Sequence, residues 1–131
     1  MTTADPLYND WIHQQLRVQP DSLAIHDLTD SRAFTWRQFN ERVDALAQRL
    51  CDEGIKMGDR IAYLGLNSSD VVEIFFATER IGAVYVPLNF RLTPPELCFI
   101  VGDCTPSAVF YDQSFQSIVE EIDSAVMPGS Y

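Results

Sequence analysis

Apolar positions along the chain fall either into short runs or into segments with helical spacing, and the two kinds alternate after residue 36. The short runs have the length and the β-branched and aromatic composition of strands. The first two are separated by Thr-Asp-Ser-Arg, which favours a turn because Asp and Ser side chains hydrogen-bond to nearby backbone groups. They therefore predict a small hairpin. The predicted strands are residues 22–28, 33–36, 59–66, 83–88 and 107–112.

The segment after the hairpin predicts an amphipathic helix. Apolar side chains recur at helical spacing over residues 39–50, and charged side chains occupy the opposite face. Thr35 is a suitable N-cap, and Gln38, three residues later, completes a capping box. Gly54 marks the end of this helix. A shorter helix is predicted before the hairpin, and Pro20 ends it.

Three further helices follow the remaining strands. The first begins at the Asn-Ser-Ser run of residues 67–69 and is apolar round most of its circumference, so we expect it to be well buried. The second has Thr93 as its cap, Pro94 at its first position and Glu96 in a second capping box. The third covers residues 114–126.

This order of elements predicts the α/β fold class. We expect a three-layer domain with a mostly parallel sheet and helices on both faces, flavodoxin-like in style, preceded by the hairpin. Residues 83–88 carry little polar content and predict a central parallel strand covered on both faces. Ligands of open α/β sheets bind beyond the carboxyl ends of the strands. The candidate site loops are therefore residues 64–70, 86–93 and 110–114.

Composition excludes several classes of function. The chain has 131 residues, which fits one domain, and a formal net charge of −10. Such a charge repels nucleic-acid backbones and anionic lipid surfaces. Its three cysteines form no Cys-x-x-Cys pair, so we expect reduced thiols and a cytoplasmic protein without a metal site. No secretory signal or membrane-spanning run is evident.

Little visible chemistry accompanies this pattern. Neither a Gly-x-Gly-x-x-Gly fingerprint nor a P-loop is present. Arg91 is the one basic residue directly after a strand end, where a guanidinium can bind a phosphate or a carboxylate. The alternative is a surface ion pair of Arg91 with Glu96 or Asp112. The polar residues Asn67, Ser68 and Thr93 of the site loops are better explained as helix caps than as ligand contacts.

Two segments resemble the core motifs of a known family. Residues 34–39, Phe-Thr-Trp-Arg-Gln-Phe, resemble its first motif, and residues 80–89, Arg-Ile-Gly-Ala-Val-Tyr-Val-Pro-Leu-Asn, resemble its second. The continuation over residues 89–97 is typical of acyl-CoA and aryl-CoA ligases. Residues 20–112 thus resemble the beginning of an adenylate-forming (AMP-binding) enzyme. This family includes acyl-CoA synthetases, luciferases and the adenylation domains of peptide synthetases.

The resemblance implies that residues 1–131 form a single α/β domain, the N-terminal portion of a ligase's large domain. Enzymes of this kind use ATP and Mg²⁺ to convert a carboxylate into an acyl-adenylate and then form a thioester with CoA. Their phosphate loop, nucleotide-binding motifs and C-terminal lid lie downstream of the matching part. We therefore expect a truncated portion of a fatty-acyl-CoA or aryl-CoA ligase that is inactive alone, with no catalytic residue, metal or cofactor of its own.

One site residue and two partners follow from the resemblance. In some CoA ligases the arginine of this Asn-x-Arg-Leu stretch approaches the CoA phosphates, so Arg91 is the candidate CoA contact. The partner expected is the remainder of the ligase chain, and an isolated chain with bare surfaces is expected to form a homo-oligomer. Two alternatives stay open: a non-enzymatic α/β scaffold or interaction module, and a receiver-like domain, which the single loop lysine, Lys56, disfavours.

Overall fold

The computed structural model describes residues 10–126 and divides them into a hairpin, a parallel sheet and flanking helices. One 3₁₀ turn, Gln113–Phe115, precedes the last helix. The strands are β1 (Leu23–His26), β2 (Ala33–Thr35), β3 (Arg60–Leu64), β4 (Val84–Leu88) and β5 (Ala108–Tyr111). The helices are α1 (Trp11–Val18), α2 (Trp36–Asp52), α3 (Ser69–Arg80), α4 (Pro94–Cys104) and α5 (Gln116–Val126).

The separate hairpin and the parallel sheet form as predicted, although the position of one strand differs. β1 and β2 pair antiparallel as a separate hairpin, and the second sheet has the order β4-β3-β5 with both pairings parallel. Helices flank this three-stranded sheet, which confirms the α/β class. Both predicted capping boxes form: Thr35 with Gln38 at the start of α2, and Thr93 with Glu96 at the start of α4.

β3 divides the interior into two cores. Ile61 and Tyr63 pack into the core formed with α1, α2 and α3, whereas Ala62 and Leu64 pack into the core formed with α4 and α5. All four side chains are buried. Because successive side chains of a strand point to opposite faces, one fully buried strand supports both helical layers.

The prediction that residues 83–88 form the central strand is wrong. Within residues 10–126 β4 lies at an edge of the sheet, and Val84 and Pro87 are exposed. Pro87 has no N–H to donate, and proline within a sheet is confined mainly to edge strands. The proline was therefore the sequence signal for an edge, and the apolar composition of the strand was the weaker guide.

The expectation of a well-buried α3 is only partly met. Ile74, Ala77 and Thr78 are buried, but Phe75 leaves 42% of its surface exposed. Its ring contacts the ring of Tyr85 edge-on at a centroid distance of 5.6 Å. Because β4 is an edge strand, no further layer covers this side of α3 within the described residues.

Arg80 joins the three helices of the first core through ion pairs. Its Nη2 atom lies 2.9 Å from an Asp10 carboxylate oxygen, and its Nη1 atom lies 2.6 Å from Asp44. Asp10 also accepts a hydrogen bond from the backbone N–H of His13 and so caps α1. The Arg80 and Asp10 side chains are only 12% and 8% exposed, which makes the pair much drier than an ordinary surface ion pair.

Removing this cation is expected to destabilise the domain strongly. Arg80→Ala leaves Asp10 poorly solvated without its partner, so the free energy of unfolding should fall by about 3 kcal/mol. The matched control is Arg49→Ala, whose partner Glu53 is exposed, and its effect should stay below about 0.5 kcal/mol. Urea titrations followed by circular dichroism measure both. Equal effects of the two substitutions would show that the Arg80 ion pairs are not structural.

Candidate functional site

An open groove of about 500 Å³ is bordered by the turn of the hairpin and by the carboxyl ends of β3 and β5. Two of the three predicted site loops, residues 64–70 and 110–114, contribute to its walls. The third, residues 86–93, does not, so Arg91 lies outside this groove. The structure thus separates the predicted loops into a groove and a separate arginine-bearing loop.

Asp27 is the most tightly held acidic side chain at this groove. Its carboxylate accepts hydrogen bonds from the backbone N–H groups of Ser69 at 2.8 Å and Thr29 at 3.0 Å. These two bonds, the first above all, hold the pKa of Asp27 below its ordinary value. The Ser69 bond caps α3 from the hairpin, whereas the side chain of Ser68, the formal N-cap residue, makes no capping bond. The predicted local cap of α3 is therefore replaced by a distant one.

Arg32 connects the hairpin to α3 beside Asp27. Its guanidinium donates two hydrogen bonds to the Asp70 carboxylate, at 3.0 and 3.1 Å, and a further one to Asp30. Asp27 lies 3.8 Å away. Hydrogen bonds to Asp70 and then Asp30 raise the pKa of Arg32 above its ordinary value. The cation is thus engaged by three carboxylates and is poorly placed to bind an anionic ligand.

The loop that follows β3 is tightly packed around Gly65, between Tyr63 and Asp112 of the groove wall. A Cβ atom at this position would lie 2.6 Å from the Tyr63 hydroxyl oxygen and 2.8 Å from Cβ of Asp112, closer than real contacts allow. The Tyr63 hydroxyl donates to the carbonyl of Leu66 at 3.0 Å, and burial raises its pKa. Tyr63 is therefore an anchor of the β3 loop, protonated at neutral pH.

The surroundings of Arg91 leave its guanidinium available to bind an anionic ligand. The residue is exposed, its backbone N–H donates to the Asn89 side chain at 3.0 Å, and its guanidinium carbon lies 4.7 Å from the centroid of the Phe90 ring. Stacking on an aromatic face orients a guanidinium while leaving its N–H edge free to donate.

Neither predicted carboxylate partner of Arg91 binds it. Glu96 accepts hydrogen bonds from the backbone and hydroxyl of Thr93, at 2.8 and 2.9 Å, which lower its pKa. Asp112 accepts from the backbone and hydroxyl of Ser114. Among residues 10–126 no carboxylate lies within ion-pair distance of Arg91. The surface ion pair considered as the alternative does not form.

The described residues carry few other chemical groups. Across residues 10–126 no three His, Cys, Asp or Glu side chains are arranged to hold a metal ion. The three cysteines are free thiols; Cys51 is exposed, and Cys98 and Cys104 are partly buried. No described helix is both long and apolar enough to cross a membrane.

Asp27 and Arg32 are the residues that sequence reasoning missed. The turn between the strands was readable, and the Asp27–Thr29 bond is the local contact that Asp makes in such turns. The bond that matters joins residues 42 positions apart. Local spacing carries no signal for such a pairing.

A family model and individual relatives match the chain and agree with each other. The family model described as AMP-binding enzyme matches residues 12–128. The chain is 31% identical to indoleacetate–CoA ligase of Aromatoleum aromaticum over 90% of its length, and 38% identical to feruloyl-CoA synthase of an Amycolatopsis species over 77%. It spans only 23% and 20% of those two relatives, in their N-terminal part.

Solved structures of similar proteins share the fold of this chain. The N-terminal domain of FACL13 from Mycobacterium tuberculosis superposes with a TM-score of 0.79 at 31% identity, covering 83% of this chain and 27% of that one. A putative long-chain-fatty-acid CoA ligase from Rhodopseudomonas palustris superposes with a TM-score of 0.82 at 30% identity, covering 92% and 30%.

The cap supplied by Asp27 should make stability depend on acid pH. Because its pKa is lower in the folded chain than in the unfolded one, its contribution is complete above the unfolded value, about 3.9, and is lost as pH falls through the folded value. Asp27→Asn should therefore be destabilising at about pH 6, and the difference from wild type should shrink below about pH 4.

Urea unfolding at several pH values measures this difference. The control is Asp21→Asn, because the Asp21–Arg37 pair is exposed and should contribute little at any pH. A constant difference in the free energy of unfolding between wild type and Asp27→Asn from pH 6 to pH 3 would contradict the role of the Asp27 carboxylate as the cap of α3.

Proposed function

The chain belongs to the AMP-binding enzyme family, and from this membership we propose that residues 1–131 are the N-terminal portion of the large domain of an acyl-CoA or aryl-CoA ligase. The relatives named above join carboxylic acids to CoA. A ligase of this kind uses ATP, Mg²⁺ and CoA. In such a ligase these residues form one wall of the enzyme, and the catalytic groups belong to the rest of the chain.

Arg91 carries the proposed ligand contact. It is exposed at the carboxyl end of β4, stacked on Phe90 and free of a carboxylate partner within the described residues. A guanidinium held in this way suits a phosphate group, because its N–H donors form paired charge-assisted bonds. We assign Arg91 to the phosphates of CoA. Its role is to bind and orient CoA, and it takes no part in proton transfer or in forming the acyl-adenylate.

Among residues 10–126 no three His, Cys, Asp or Glu side chains are arranged to hold a metal ion, and no step involving Mg²⁺ is assigned to these residues. The expected partner is the remainder of the ligase chain. We further propose a cytoplasmic location, supported by the three free thiols, and self-association of the 131-residue chain when it is isolated. The competing function, a non-enzymatic interaction module, is supported by the exposed apolar side chains, among them Phe75 and Phe99.

The isolated chain should not catalyse the first half-reaction. With ATP, Mg²⁺ and a panel of aliphatic and aromatic carboxylic acids, we expect no exchange of labelled pyrophosphate into ATP. The reason is that the phosphate loop and nucleotide-binding motifs of the family lie outside the matching part, and no three His, Cys, Asp or Glu side chains among residues 10–126 are arranged to hold a metal ion. A full-length feruloyl-CoA synthase under the same conditions is the positive control. Carboxylate-dependent pyrophosphate exchange by the isolated chain would contradict the proposal that this portion is inactive alone.

A chimera tests the ligase assignment directly. Residues 10–126 replace the matching segment of the 38% identical feruloyl-CoA synthase, and folding is verified by circular dichroism. We expect the chimera to form feruloyl-adenylate and feruloyl-CoA. A folded chimera that catalyses neither half-reaction would overturn the assignment in favour of an interaction module.

Arg91→Ala in this chimera should separate the two half-reactions. Loss of a charge-assisted phosphate contact should raise the KM for CoA about 10-fold or more, while pyrophosphate exchange stays unchanged. Arg37→Ala, which removes another exposed guanidinium, is the matched control and should alter neither. An unchanged KM for CoA, or an equal loss in both half-reactions, would remove Arg91 from the CoA site.

A further inference from the structure

The loop that carries Arg91 is fixed on both sides of the arginine. Phe90 and Leu92 are partly buried and pack against the core formed with α4 and α5, whereas Arg91 between them is exposed. Asn89 holds the backbone of the loop: its side chain accepts from the Arg91 N–H at 3.0 Å, and its carbonyl accepts from the Leu92 N–H at 3.0 Å. Contacts within this chain therefore define where the Arg91 side chain begins.

The ring of Phe90 is held in turn by a second ring. Its centroid lies 5.9 Å from the centroid of the Phe115 ring, and the two ring planes are tilted by 60°. Phe115 belongs to the 3₁₀ turn that follows β5, and it packs against the same core. Aromatic pairs at such a distance attract each other beyond the effect of their buried area. An element that is distant in sequence thus fixes the ring beside Arg91.

The guanidinium of Arg91 completes a stack of three planar groups. Its central carbon lies 4.7 Å from the centroid of the Phe90 ring. The ring face attracts the cation, and a planar guanidinium that lies against a ring keeps its N–H donors at its edge. A long side chain that is already held in one orientation loses less freedom when it binds a ligand, so the stack should strengthen binding.

From these contacts we propose that Phe90 and Phe115 are positioning residues for CoA binding. Phe115 fixes the ring of Phe90, and Phe90 holds the Arg91 guanidinium in the orientation that binds a phosphate of CoA. The inference rests on the CoA contact proposed above for Arg91 and adds which side chains set the strength of that contact. Both phenylalanines act through Arg91, and neither is assigned a contact with CoA.

Substitutions of Phe90 in the feruloyl-CoA synthase chimera test this role. Phe90→Leu keeps an apolar side chain beside Phe115 but removes the ring face beside Arg91. The KM for CoA should rise about 2- to 5-fold, which corresponds to an exposed cation–π contact, while kcat and pyrophosphate exchange stay unchanged. Phe90→Tyr retains the ring and should retain the KM of the chimera. Phe115→Leu should raise the KM in the same direction by a smaller factor.

The matched control is Phe34→Leu. It removes the ring beside a different guanidinium, that of Arg42, whose central carbon lies 4.8 Å from the Phe34 centroid. This substitution should leave the KM for CoA unchanged, and circular dichroism should show that all variants are folded. An equal rise in KM with Phe34→Leu would show that the effect of Phe90→Leu is not specific to the Arg91 stack and would overturn the positioning role.

Nuclear magnetic resonance of the 131-residue chain tests the stack without CoA and without activity. The ring current of Phe90 should shift the side-chain protons of Arg91 upfield. Phe90→Leu should abolish this shift, and Phe90→Tyr should keep it. Arg91 protons with the same chemical shifts in the wild-type chain and in Phe90→Leu would overturn the proposal.

A double substitution shows whether Phe90 acts through Arg91. In the chimera that carries Arg91→Ala, adding Phe90→Leu should raise the KM for CoA no further. A further rise, or an equal loss in both half-reactions, would overturn the positioning role, as would a KM that responds to Arg91→Ala but not to Phe90→Leu. A KM that does not respond to Arg91→Ala would overturn the CoA contact itself and the positioning role with it, so the two failures are distinguishable.

Discussion

The alternation of side chains along β3 is the constraint on which the domain depends. Four consecutive buried residues send two side chains into the core below α1, α2 and α3, and two into the core below α4 and α5. Since this strand is hydrogen-bonded on both sides, to β4 and β5, it has no solvent-exposed edge. A polar substitution within it would disturb one of the two cores, and a one-residue change of register would disturb both at once.

Ion pairs and hydrogen bonds of charged side chains connect elements in addition to the contacts made in the two hydrophobic cores. The hairpin is not part of the central sheet, and Asp27 and Arg32 attach it to the beginning of α3. At the other end of the same helix, Arg80 binds Asp10 and Asp44, which belong to the beginning of α1 and the middle of α2. Carboxylates thus satisfy the helix N-terminus and a guanidinium lies in the last turn, the arrangement that the helix dipole favours.

This construction explains why a strongly patterned sequence shows so little chemistry. Most polar residues at the strand ends are used as caps and ion pairs: Thr93 with Glu96, Asp112 with Ser114, and Asp27 with Ser69. Arg91 is the exception, an exposed cation oriented by a neighbouring ring. This use of the polar residues agrees with the proposed role of the chain as one wall of a larger AMP-binding enzyme.

Periodicity, capping boxes and glycine stops determined the order and type of the elements, because these signals act over a few residues. The sequence also singled out Arg91 as the candidate ligand contact. The apolar composition of β4 led to the wrong prediction of a central strand, and the significance of Pro87 became clear only once its edge position was seen. Only the tertiary structure decided which strand is central, which residue caps α3 and which carboxylates engage Arg32. Those outcomes depend on contacts between residues tens of positions apart, and such contacts are settled by how the layers pack, not by local spacing.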